Sequence, residues 1–139
     1  MSLKCLASLI NHYLFFDAND RHELTQVSVK EELVKEAKQA IICALCGTCL
    51  CTSREKGQKN GSFEHVFINP AGIVYCIGIF QKLKHILTNG VSESFFTWFP
   101  GYSWDCIYCA VCLSHLGWLF KSSPQDFFYG VILNNIKGY

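Results

Sequence analysis

At 139 residues the chain has the length of one domain, long enough to bury about two-thirds of its unfolded surface without a covalent staple. Half of the residues are apolar and 17% are charged, which excludes an intrinsically disordered chain. A net charge of +1 provides no basic field for holding phosphates, so nucleic acid is not an expected partner.

Residues 1–40 read as an N-terminal segment. Within it, the stretch 4–18 resembles a weak secretory signal: Leu6–Phe16 (LASLINHYLFF) follows Lys4, but Asn11 and His12 interrupt the apolar run. That run is also too short to span a membrane as a helix. Ser28-Val29-Lys30-Glu31 fits a capping box, and Leu33, Ala37, Ala40 and Ile41 follow at helical spacing. A helix is predicted over about 29–42.

Residues 41–139 change character to short strands and turns. Gly57–Gly61 is a polar loop, and Phe63–Ile68 (FEHVFI) suits a half-buried strand. Asn69-Pro70-Ala71-Gly72 fits a type I turn, after which Ile73–Phe80 returns as the second arm of a hairpin. Gly117–Lys121 and Phe127–Leu133 are further strand candidates, separated by a turn at Ser123–Pro124. Short strands at this spacing predict a mainly β, antiparallel architecture.

The nine cysteines lie at 5, 43, 46, 49, 51, 76, 106, 109 and 112, an odd total that excludes complete pairing into disulfides within the full chain. Cys43-Ala-Leu-Cys46 and Cys109-Ala-Val-Cys112 are two C-x-x-C knuckles. Each places two thiolates on one side of a tight turn, and a pair of knuckles supplies the tetrahedral sulfur set that suits Zn²⁺. Cys49 and Cys106 extend the knuckles, so spacing alone equally allows the pairs 46/49 and 106/109. His115, three residues after Cys112, offers a Cys₃His alternative. The bacterial ferredoxin run needs a different fourth spacing and a following Pro, and neither is present. Four thiolates leave zinc no open position, so its expected role is structural. Cys5, Cys49, Cys51, Cys76 and Cys106 read as small core hydrophobes. So many thiols fit a reducing, intracellular compartment, with secretion as the alternative.

All three tryptophans lie between positions 98 and 118, in WFPGYSWDCIYCAVCLSHLGW. Pro100–Gly101 fits a type II turn that doubles the chain back between Trp98 and Trp104. Phe120 falls on the same strand face as Trp118. Such crowding describes either an aromatic pocket or an ordinary core around the metal.

These motifs carry a resemblance. W-F-P-G-Y-S-W followed by C-x-x-C-x-S-H-L-G-W-x-F resembles the thalidomide-binding CULT domain of the cereblon family. The Cys43/Cys46 knuckle, the Asn69–Gly72 turn and Pro124-Gln125-Asp126-Phe127-Phe128-Tyr129-Gly130 match in order, so the resemblance covers roughly residues 40 to 135. It implies a β-tent of two antiparallel sheets pinned by a structural zinc on Cys43, Cys46, Cys109 and Cys112. It implies further that Trp98, Trp104 and Trp118 form a cage closed by Phe120 and bordered by Asn69, with Phe96 and Thr97 also binding the ligand. The backbone carbonyl of Phe96 and the amide of Trp98 would hold the ligand's polar edge. Family ligands are cyclic imides such as glutarimide, succinimide-like rings and cyclised C-terminal Asn or Gln, and uracil-like rings fit some members.

The chain departs from cereblon at Phe96, where cereblon has a His that hydrogen-bonds an imide carbonyl; Phe occurs there in bacterial relatives. The resemblance does not reach cereblon's Lon-like domain or its adaptor-binding helices, so ubiquitin-ligase recruitment is not implied. The expectation is a non-catalytic binding module. B-type methionine sulfoxide reductases share the β-tent, and under that alternative Cys76 or Cys106 would be the nucleophile. A zinc adaptor that binds protein through the N-terminal helix is the third reading.

Overall fold

The computed structural model describes residues 29–35 and 39–139. The signal-like stretch, Cys5 and the capping residue Ser28 lie outside the described residues. Residues 29–35 are helical (α1), but Ala40–Ile42, predicted to be the last turn of that helix, belong with Cys43 to strand β1 instead. The reason is tertiary: Ala40, Ile41 and Cys43 are buried, and β1 pairs on both sides. β-Branched Ile41 and Ile42 suit that extended, sheet-bound state better than a helix end.

Eight more strands follow: β2 (Cys49–Thr52), β3 (Glu64–Ile68), β4 (Val74–Phe80), β5 (Ile86–Thr88), β6 (Ser103–Cys109), β7 (His115–Lys121), β8 (Phe127–Ile132) and β9 (Ile136–Lys137). They make two antiparallel sheets, β2-β1-β9 and β3-β4-β8-β7-β6-β5. The architecture is the mainly β two-sheet tent anticipated from the motifs, with a short N-terminal helix. The hairpin at 69–72 closes as predicted, with the Gly72 amide bonding the Asn69 carbonyl at 2.9 Å and the Ile73 amide bonding Asn69 Oδ1 at 2.9 Å. The second predicted turn also forms, with the Tyr102 amide donating to the Phe99 carbonyl at 3.0 Å across Pro100–Gly101.

The large sheet is apolar on both faces, an arrangement that antiparallel sheets with one wet side do not need. One face meets the small sheet through Ile41, Leu50, Phe80, Ile107, Leu116 and Val131. The other carries Ile77, Ile79, Trp118, Phe120 and Phe128, covered by Phe99 from the loop that precedes β6. Alternation along β6 sends Trp104 and Cys106 to the second face and Ile107 and Cys109 to the first.

On β7 the alternation is broken. Leu116 and Trp118 share parity yet serve opposite faces, because a bulge intervenes: Ile107 pairs with Gly117 while Tyr108 pairs with His115. Gly117 takes φ of 143°, and a Cβ there would lie 2.0 Å from the Gly130 carbonyl oxygen on β8. Only glycine fits. Gly117→Ala is expected to destabilise the fold by about 3 kcal/mol or more, from backbone collision plus strain. A urea-unfolding midpoint equal to that of the parent would refute this.

Candidate functional site

Two knuckles close the tent at one end. The Gly47 amide bonds the Cys43 carbonyl at 2.9 Å, and the Leu113 amide bonds the Cys109 carbonyl at 2.9 Å. The residue after the second cysteine is left-handed in both, with φ of 73° at Gly47 and 61° at Leu113. The Cys43 amide then reaches the Thr48 carbonyl at 2.9 Å, as the Cys109 amide reaches Ser114 at 3.0 Å. The knuckles are thus two copies of one turn.

They bring Cys43, Cys46, Cys109 and Cys112 together, with all four sulfurs within 4.8 Å of one another. The Cys43–Cys112 and Cys46–Cys109 sulfurs are each 3.6 Å apart. A zinc tetrahedron with bonds of 2.3 Å has sulfur–sulfur edges of about 3.8 Å, so the cluster fits a four-thiolate metal site with little adjustment. The alternative registers do not converge: Cys49 is buried in the small sheet, and Cys106 lies on the far face of the large one. His115 bonds the Gly117 carbonyl through Nε2 at 3.0 Å and is not part of the cluster.

Hydroxyls prepare the thiols for ionisation. Ser114 Oγ lies 3.1 Å from Cys112 Sγ, and this contact with the Ser114 amide brings the Cys112 thiol down to about 6. Burial opposes ionisation at Cys46, but the Thr48 hydroxyl, 3.0 Å away, and the Thr48 amide hold that thiol below its usual value. Cys109 is pushed up to about 11 by burial. Bound metal would turn all four into thiolates and join β1 to the β6–β7 hairpin; with no open position it would supply folding free energy rather than chemistry.

On the opposite face of the large sheet a cavity of about 390 Å³ is lined by Asn69, Pro70, Phe96, Trp98, Trp104, Cys106, His115, Trp118 and Phe120. That volume lies within the range of about 300–1,000 Å³ usual for small-molecule sites. Trp98 and Trp118 meet edge to face at 4.8 Å and 73°, so they form adjacent walls. Both walls are braced by further rings. Phe67 stacks on Trp98 at 4.9 Å and 12°, and Tyr75 and His115 abut Trp118 edge-on at 5.0 Å and 4.9 Å. The Trp104 indole N–H donates to the Phe95 carbonyl at 2.8 Å, holding the third wall to the lip of the cavity.

Phe120 stacks on Phe128, over whose ring lies Lys59 Nζ, the start of a polar chain. Lys59 Nζ donates to Tyr102 Oη at 2.7 Å, and Tyr102 Oη donates to Asp126 Oδ2 at 2.7 Å. Contacts from Ser122 and Tyr102 hold the Asp126 carboxyl below the usual range.

Six of the seven residues expected around a ligand line this cavity: Asn69, Phe96, Trp98, Trp104, Trp118 and Phe120. Thr97 does not. Its hydroxyl caps the turn instead, at 3.3 Å from the Phe99 amide and 3.2 Å from the Phe99 carbonyl. Phe96 is 63% exposed at the rim and left-handed, with φ of 54°. Pro70, Cys106 and His115 were not anticipated as lining. Strand alternation from Trp104 points to Cys106, whereas the bulge alone delivers His115. Cys49 and Cys51 are buried as expected, with burial pushing the Cys51 thiol up to about 12. All cysteines among the described residues are free thiols.

Fold and site together define the class: a two-sheet antiparallel β-domain with a four-thiol clamp on one side of its large sheet and an aromatic cage on the other. No family model matches the chain. Among curated proteins it is 28% identical over 125 residues to cereblon of Drosophila melanogaster, covering 84% of this chain and 20% of that protein. Cereblon of Drosophila persimilis is 27% identical over 133 residues, covering 90% and 20%. The chain therefore spans about one fifth of the length of the curated relatives it matches. The matched region and the two-sheet fold are consistent with a cereblon-like CULT domain. Among the described residues no helix is long and apolar enough to cross a membrane.

Cobalt(II) added to metal-free protein should give the intense visible bands of tetrahedral thiolate ligation, and Cys109→Ser should weaken them and lower the melting temperature. A spectrum typical of octahedral aqueous cobalt would contradict the clamp.

Proposed function

We propose that this chain is a non-catalytic, zinc-clamped binding module whose cage takes a cyclic imide or a uracil-like ring, free or formed at the C-terminal Asn or Gln of a protein. The observation that carries the reading is the set of walls: Trp98, Trp104 and Trp118 around one cavity, with Phe120 beneath. A flat neutral ring gains most from perpendicular aromatic faces, because one wall stacks on it while the next meets its edge. Among the described residues the lining contains no carboxylate, and burial holds His115 below its ordinary value, which favours the neutral imidazole. That favours an uncharged ring over a quaternary ammonium, which aromatic cages otherwise attract. Residues 41–139 would constitute this module, with zinc as the ion on the four cysteines.

A reductase reading asks for an activated thiolate. Cys76 packs on the clamp side of the sheet, away from the cage. Cys106 lines the cavity, but burial raises its thiol and no cationic side chain is among the lining residues. Binding without turnover is the better account.

Titration of the zinc-loaded protein with succinimide, glutarimide or uridine should quench tryptophan fluorescence, while choline should not. Trp98→Ala should weaken ring binding by about 2 kcal/mol, as at other buried aromatic anchors. A well-folded sample unresponsive to millimolar ring compounds would sink the proposal.

Position 96 sets affinity. A His there would restore a side-chain donor for an imide carbonyl, and His also tolerates the left-handed backbone better than Phe. Phe96→His is expected to tighten imide binding by about 1 kcal/mol, a typical net hydrogen bond; calorimetry showing equal or weaker binding would argue against it.

A further inference from the structure

One lining side chain of the cage is a thiol: Cys106. It stands on β6 two residues after Trp104 and directly across the ladder from Trp118. Its sulfur therefore leaves the sheet between two indole walls, on the face away from the four-cysteine cluster. The other described thiols are elsewhere. Cys49 and Cys51 are buried in the small sheet, Cys76 packs on the clamp side, and the remaining four form the cluster. Among the described residues, a ring admitted to the cage meets this thiol and no other.

We propose that Cys106 makes the cage a covalent trap for cyclic imides bearing a carbon–carbon double bond conjugated to the ring carbonyl, maleimide being the simplest. The inference rests on the ring-binding reading above, since the ring must be held for the thiol to reach it. Sulfur adds to the β-carbon of the alkene and the S–H proton ends on the α-carbon. A C–S bond and a C–H bond replace the π bond and the S–H bond, so no oxidant, reductant or leaving group is involved. Burial, with the Asp105 carboxylate nearby, raises the thiol above its usual value, which slows random encounters with electrophiles. Confinement against the indoles offsets this by raising the effective concentration of the alkene. Saturated imides lack an acceptor carbon and leave reversibly. The cage thus sorts saturated from unsaturated rings by residence time.

The test treats the zinc-loaded full chain with one equivalent of maleimide, with and without excess succinimide, and maps adducts by peptide mass spectrometry. Succinimide binding is read separately by tryptophan fluorescence. Among the described cysteines, the expected result is a single adduct at Cys106 formed ahead of any at Cys76, and slowed at least about tenfold by succinimide, because the confined ring is displaced. Cys106→Ser should abolish that adduct and Cys76→Ser should retain it. If succinimide quenches fluorescence but Cys106 reacts no faster than Cys76, or reacts equally with succinimide present, the trap is overturned while ring binding stands. If succinimide neither quenches nor protects, the ring-binding reading fails and the trap fails with it.

Discussion

The bulge at Gly117 decides which face of the large sheet each residue of β7 serves. Before it, Leu116 packs toward the clamp and His115 toward the cage; after it, Trp118 and Phe120 face the cage and Leu119 the clamp. A regular strand would put Leu116 and Trp118 on one side and remove either a core residue or a cage wall. The bulge survives because Gly117 has no Cβ to strike the β8 backbone. The placement of Leu116 in the core and of Trp118 in the cage depends on that local break in the pleat.

The hairpin is shared by two devices that use opposite faces. At its turn, Cys109 and Cys112 answer the Cys43/Cys46 knuckle; along its strands, Trp104, Cys106, Trp118 and Phe120 line the cage. Metal bound at the four cysteines would therefore link clamp and cage mechanically, since a hairpin pinned at one end would hold its indoles in register at the other. The aromatic lattice continues the support outward from Trp98 and Trp118 to Phe67, Tyr75 and Phe99, so the walls are packed residues rather than loose flaps. The exposed pair Phe95–Phe96 at the lip, with rings 4.2 Å apart, is the least constrained part of the rim.

Much of the β architecture was legible because turn chemistry is local. Asn69–Gly72 and Pro100–Gly101 carry the residues their turns demand, and strand-forming residues flank them. The N-terminal side was harder. Ala37, Ala40 and Ile41 fit a helical period, yet Ala40–Cys43 is strand, because pairing with β2 and β9 outweighs a weak intrinsic preference. Strands of two to four residues such as β9 and β1 exist only through their partners and leave no periodic signal. Thr97 looked like a ligand contact from its place in the motif, but its hydroxyl is spent within the turn.

By itself the sequence determined the residue types available: two C-x-x-C knuckles, three indoles within one hairpin region, and glycines where the backbone must turn. Those follow from local chemistry, since thiol spacing and turn conformation are set within a few residues. Spacing alone left open which four of the candidate thiols converge; the tertiary structure brings together the four that the resemblance implied, and it alone decided that Cys106 and His115 join the cage. It also decided that clamp and cage lie on opposite faces. These are properties of strand register and of the bulge at Gly117, and register is set by pairing between segments far apart in the chain.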